Sequence, residues 1–239
     1  MTLYAWPKQA AFGRVVPKSK IYEHATASAA LRERFVQQVE QINWAYKLAP
    51  ETVNLPATPA VAEIQVFRIS LKGASLDHEV LKAIDRAIPF PLIFELVQGG
   101  RIKLVAAYKR PAQNPKSAAD SSRWVMGSYF ETDWQPESSP RQPLPVALNL
   151  GVLYEKLMYH LSPLIPRPQE PLADLLERGE QVQARQREID RITSQLKREK
   201  QFNRKVELNT TLRRLRPERR ASATCGLGAS KLPIGRPKR

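Results

Sequence analysis

The stretches VAEIQVFRISLK (Val61–Lys72) and DHEVLKAIDRAIPFPLIFELVQGGRIKLVAAYK (Asp77–Lys109) decide how this chain folds. The first reads as a strand whose alternation slips: Ile64 and Val66 share one face, while Phe67, Ile69 and Leu71 share the other. Covered faces on both sides explain that slip better than a bulge, because a helix follows at once. Ser75 or Asp77 caps this helix, Val80, Leu81, Ile84 and Ile88 form its apolar stripe, and Pro89 and Pro91 stop it. Leu92–Val97 is a second apolar strand. Gln98-Gly99-Gly100-Arg101 then supplies glycines for a hairpin turn at positive φ, and Ile102, Leu104, Ala106 and Tyr108 mark the return strand.

Towards the N-terminus, Leu31, Phe35, Val39 and Ile42 recur at helical spacing behind Ser28, a plausible N-cap. The period then changes to two, so Ile42, Trp44, Tyr46 and Leu48 describe one face of a half-buried strand. Residues 1–19 read as an extended lead-in, with Pro50, Pro56 and Pro59 marking an irregular crossing. Towards the C-terminus, 110–122 is loop, Trp124–Trp134 is a further strand, and Leu150, Leu153, Leu157, Leu161 and Leu164 form a helical stripe. The expected fold over 20–165 is α+β or α/β, a mixed sheet of about five strands with two to three packing helices.

Prolines at 163, 166, 168 and 171 make a stiff linker over 166–171. From 172 to 216 Glu, Arg, Gln, Lys and Leu dominate, and Leu175, Val182, Ile189 and Leu196 are spaced seven apart. That pattern predicts one long coiled-coil helix, about 65 Å if continuous. Phe202, Val206, Leu208, Leu212 and Leu215 then shift phase, as a stutter would. The helix is too polar to stand alone, so it is expected to pair with itself or with a partner. Residues 217–239 read as a disordered basic tail.

Charge follows the same division. The 239 residues carry a formal +15, of which residues 172–239 supply +10 from 18 Lys+Arg against 8 Asp+Glu. A polyanion or an acidic protein is the partner such asymmetry fits. The contact residues read from this surplus are Arg185, Arg191, Lys197, Arg198, Arg204, Lys205, Arg213, Arg214, Arg236, Lys238 and Arg239. Their carboxylate neighbours, Glu188, Asp190, Glu199 and Glu207, equally describe a salt-bridged helix surface. Gly235-Arg236-Pro237 looks like an AT-hook core, although Ile234 stands where a basic residue is usual.

The single Cys225 excludes an internal disulfide and a thiolate metal cluster, which fits a reducing, cytoplasmic setting. The first twenty residues lack the pattern of a signal peptide, and no window is apolar enough to span a membrane. No catalytic, cofactor or metal motif emerges. Glu63 and Lys72 are too far apart for a restriction-type carboxylate–lysine pair, and Glu95 has no lysine at that spacing. Asp85 reads as a solvated or capping helix residue. His24, His78 and His160 lack companions at ligand spacing, and no phosphate loop or nucleophile elbow is present. Trp44, Tyr46, Phe67, Phe94, Tyr108 and Trp124 read as core rather than as a base-stacking platform.

INWAYKLAPETVNL, VAEIQVFRISL, VLKAIDRAIPFPLIFEL, VAAYKR and KQFNRKVELN together resemble the family called domain of unknown function 4391. The resemblance spans most of 20–215 and departs after about Leu215. It implies an α/β domain with a coiled-coil arm, from a family often encoded beside DNA helicases and methyltransferases of restriction or phage-defence type. It supplies no catalytic residues. The expectation is a non-enzymatic accessory protein that meets itself or a helicase or methyltransferase subunit through its arm. A divergent nuclease and a stand-alone DNA-binding protein are the alternatives.

Overall fold

The computed structural model describes residues 3–111, 124–162 and 164–223. The chain forms two compact units, Met1–Pro163 and Leu164–Arg239. Within the first, the strands are β1 (Leu3–Tyr4), β2 (Ala11–Val15), β3 (Val39–Leu48), β4 (Ile64–Leu71), β5 (Leu92–Gln98), β6 (Arg101–Pro111), β7 (Trp124–Glu131), β8 (Gln135–Pro136) and β9 (Arg141–Gln142). The helices are α1 (Lys18–His24), α2 (Ala29–Gln38), α3 (Pro50–Val53), α4 (His78–Ala87) and α5 (Leu150–Leu161). A mixed sheet runs β2-β3-β4-β5-β6-β7, with β8 beside β7 on the same edge of β6. Only the β4–β5 pair in it is parallel, joined through α4 as a parallel connection requires.

The fold is thus mixed α+β, and its seven-stranded sheet is larger than the five strands expected. The additions come from 1–19 and from the strand fragments after Trp134. Short, polar or proline-flanked segments carry little periodicity, yet β2 pairs with β3 and β1 pairs in parallel with β9. Leu3, Tyr4 and Trp6 are buried, so the N-terminal segment is part of the core rather than a lead-in.

Both faces of β4 are covered, and its register with β5 runs unbroken from Gln65 to Ser70. Phe67, Ile69 and Leu71 pack with Phe94, Leu96, Val105 and Ala107 beneath Ile21, Phe35, Val80, Leu81 and Ile84 of the helices. The register shifts lie instead in β3, one between Val39 and Gln41 and one between Trp44 and Tyr46. The second corrects the reading of Ile42, Trp44, Tyr46 and Leu48 as a single face. Trp44 stacks on Phe67, whereas Tyr46 meets Trp6. One extra residue reverses the facing of everything beyond it.

α4 begins at Asp77, whose carboxylate accepts from the Glu79 amide at 2.9 Å. Ser28 caps α2 by accepting from the Leu31 amide. Gly99 and Gly100 hold φ of 54° and 72°, the left-handed pair that a two-residue hairpin between β5 and β6 demands. On the other face Tyr154 of α5 stacks on Tyr108, and its hydroxyl donates to the Ala107 carbonyl.

In the second unit, α6 (Leu172–Arg198) and α7 (Phe202–Ala223) pack against each other, separated by three residues. The expected continuous helix over 172–216 is therefore a helical hairpin. The phase shift at Phe202 marks a chain reversal, not a stutter. Glu199 adopts extended backbone at φ −68° and ψ 137°, and its Oε1 accepts from the amides of Lys200 and Gln201 at 2.8 and 2.9 Å. Ile189, Ile192 and Leu212 form the buried core, flanked by Leu196, Leu208 and Leu215. The later half of the apolar stripe that asked for a partner, Ile189 and Leu196, thus finds one within its own chain. α7 also continues through Pro217, where the helical pattern was expected to end, as far as Ala223.

The hairpin core is small, so each member matters. Leu212→Ala is expected to cost the second unit about 2–3 kcal/mol. Amide hydrogen exchange should then quicken throughout α6 and α7, while β5 and β6 keep their protection.

Candidate functional site

Three polar constellations stand out: one on each face of the sheet and one on the hairpin. On the α5 face, Glu95 at the middle of β5 is fully buried. Phe94 and Leu96 point the opposite way, into the main core, so the sheet's period of two places Glu95 beside the N-terminal segment. Its Oε1 accepts from Trp6 Nε1 at 2.8 Å and from Arg141 Nη1 at 2.9 Å. Arg141 also donates to the Tyr4 carbonyl at 2.9 Å, while Arg68 lies 4.0 Å from Glu95 Oε2 and pairs with Glu137. One carboxylate thereby fastens β1, Trp6 and β9 to the sheet.

On the α4 face, Asp85 and Lys109 are both buried. The solvated role expected for Asp85 is wrong, because the side chain lies inward at the last turn of α4. Lys109 Nζ lies 3.7 Å from Asp85 Oδ1 and donates to the Asp85 and Ile88 carbonyls. The Tyr129 hydroxyl donates to Asp85 Oδ2. Lys109 therefore closes the carbonyl end of α4, where a cation also opposes the helix dipole. Burial pushes the Asp85 carboxyl up to about 6, against the pull of Lys109 and Tyr129. Burial likewise lowers the Lys109 ammonium, with Asp85 opposing, and raises the Tyr129 hydroxyl.

A cleft of about 240 Å³ lies between the start of α5, β6 and residues 58–61. Its polar groups serve the fold. Asn149 Oδ1 caps α5 at the Val152 amide, and the Tyr154 hydroxyl both donates to Ala107 and accepts from the Lys109 amide. Among the described residues, no group of three His, Cys, Asp or Glu could hold a metal ion. His160 lies edge-on to Tyr4 and His78 lies against Tyr129, which fixes both as packing neighbours of tyrosines.

The third constellation is the hairpin. Arg185, Arg191, Lys197, Arg198, Arg204, Arg213 and Arg214 are exposed along it, and Lys205 is half-buried. Arg191 pairs with Glu188 at 2.8 Å and Arg204 with Glu207 at 2.8 Å, as the neighbouring carboxylates foretold. Exposed helix pairs of this kind contribute little to stability. Among the described residues, Arg187, Lys197, Arg198, Lys200, Lys205, Arg213 and Arg214 have no carboxylate within ion-pair distance. Arg236, Lys238 and Arg239, with the AT-hook-like Gly235-Arg236-Pro237, lie outside the described residues. At the base, Glu170 takes both Nε and Nη2 of Arg178, at 2.9 and 2.7 Å, which ties the proline-rich segment to α6.

Sequence reasoning missed both buried clusters. Glu95, Arg68 and Arg141 are scattered over three segments, and only the pairing of strands brings them together. Lys109 ended a recognisable strand, yet nothing in its neighbours marked it as buried.

Fold and constellations together define an α+β unit whose two buried carboxylates are spent on its own closure, and a helical hairpin that carries exposed cations without carboxylate partners. The chain belongs to the family described as domain of unknown function (DUF4391), whose model matches residues 5–218, nearly the whole chain. The match ends three residues beyond Leu215. No curated protein and no solved structure matches it. Among the described residues, no helix is long and apolar enough to cross a membrane.

Proposed function

We propose that this protein is a non-enzymatic accessory subunit whose helical hairpin is its docking arm. The observation that carries this reading is the set of exposed cations on the hairpin that have no carboxylate partner. Buried Glu95 and Asp85 are each held by a cation, whereas the hairpin keeps Arg187, Arg213 and Arg214 without carboxylate partners. Cations left unpaired on a surface raise the rate and specificity of meeting a complementary acidic surface. A helicase or DNA methyltransferase assembly of restriction or phage-defence type is the partner that the family's genetic setting favours.

Co-purification of the tagged chain with the products of adjacent genes tests this reading. Capture of such a subunit is expected to fall at least tenfold in the triple variant Arg187→Glu, Arg213→Glu, Arg214→Glu. Retained capture in that variant, or DNA cleavage by the purified chain with magnesium or manganese, would overturn it.

A further inference from the structure

The turn of the hairpin differs from its shafts. Phe202, the first residue of α7, is 77% exposed, and Val206 one turn later is 49% exposed. Residues 197–206 carry five basic side chains (Lys197, Arg198, Lys200, Arg204 and Lys205) against the single carboxylate Glu199. That carboxylate is turned onto the Lys200 and Gln201 amides, so it neutralises none of them by direct contact. Arg204 alone is paired, with Glu207. A large aromatic ring is thus held in solvent at the turn of the hairpin, on a segment with four cations that have no carboxylate partner.

We propose that this tip binds single-stranded nucleic acid, with Phe202 stacking on a base and Lys197, Arg198, Lys200 and Lys205 meeting backbone phosphates. Charge alone would also suit an acidic peptide, but the exposed ring has no use there that an aliphatic residue would not serve. Against an unpaired base the ring offers a stacking face, the combination by which single strands are held without regard to sequence. A duplex fits less well, because its bases are already stacked and closed to the ring. An anionic membrane also fits less well, since α7 turns Leu208, Leu212 and Leu215 into the hairpin, and Phe202 and Val206 are the large apolar residues exposed on its described part. The proposal goes beyond the docking reading, because it concerns the tip and not the shaft cations.

The test is fluorescence anisotropy of the full chain with labelled oligo(dT) of about 20 nucleotides, at rising salt. Binding is expected at ~50 mM salt, with a log–log salt slope of about −3 for the four phosphate contacts on a single strand. Phe202→Ala should weaken it about tenfold while leaving the slope unchanged. Arg198→Glu with Lys200→Glu should weaken it and reduce the slope. All three positions are exposed, so circular dichroism should show the fold intact. Absence of binding, tip variants that bind like the parent, equal affinity for a duplex of the same length, or equal competition by polyglutamate would each overturn the proposal. Absent oligonucleotide binding with protein capture intact would sink this proposal and leave the docking reading standing, whereas oligonucleotide binding without protein capture would do the reverse.

Discussion

Lys109→Met is expected to cost about 3–5 kcal/mol of stability near pH 7, the loss typical when one partner of a buried ion pair is removed. Methionine fills similar space, so packing contributes little to that figure. The cost comes from two sources. Asp85 keeps a carboxylate, buried beside Tyr129, with no cation opposite, and the Asp85 and Ile88 carbonyls at the end of α4 lose their donor. The pH dependence separates them. Asp85 has its carboxyl raised from 3.8 to about 6 by burial, so the folded state holds this proton more tightly than the unfolded chain. Its contribution to stability is therefore full below about pH 4 and declines as pH rises through about 6. Near pH 5 Asp85 is already largely protonated and has less need of a counter-charge, so the variant's deficit should shrink there without vanishing. The double variant Asp85→Asn, Lys109→Met removes the stranded charge and should recover part of the loss. Urea unfolding of the parent and both variants at the two pH values measures all of this. A deficit that grows on acidification would contradict the account.

Glu95→Ala is expected to cost about 3 kcal/mol or more, and to loosen a different part of the molecule. It leaves Trp6 Nε1 and Arg141 Nη1 without their shared acceptor inside the fold. Arg141 still reaches the Tyr4 carbonyl and is partly exposed, which keeps the loss from being larger. β1 and β9 are only two residues each, so their attachment depends on side chains more than on ladder hydrogen bonds. Limited proteolysis should therefore cut near residues 5–8 in the variant before global unfolding, with Trp6 fluorescence shifting to the red. Glu95→Gln keeps an acceptor for Trp6 and should lose less. Equal stability of parent and Glu95→Ala would show that the cluster does not fasten the N-terminal segment.

The sequence carried the middle of the fold because its signals there were strong and mutually consistent. The β4–α4–β5–β6 run has period-two strands, an Asp-capped amphipathic helix and a Gly-Gly turn, and each appears in the structure. The N-terminal strands escaped notice because β1 and β2 are short and interrupted by Pro7, leaving too few residues to show a period. The bulge at the centre of β3 escaped because one inserted residue, Ala45, looks like any other member of an alternating run. The hairpin was half legible. The apolar positions on both sides of Lys200 are legible, but a phase shift looks the same whether a helix continues or reverses, and the extended Glu199 and the packing of the two helices distinguish them. The basic contact residues were visible as composition. Which of them lack a carboxylate partner depends on the folded hairpin.

The central claim is that the α+β unit is a scaffold and that the hairpin carries the binding. Its most direct test compares capture of the adjacent-gene subunits by the full chain and by residues 1–163, the first compact unit alone. The account predicts that 1–163 folds cooperatively and captures nothing above background. Capture by 1–163 at the level of the full chain would contradict it.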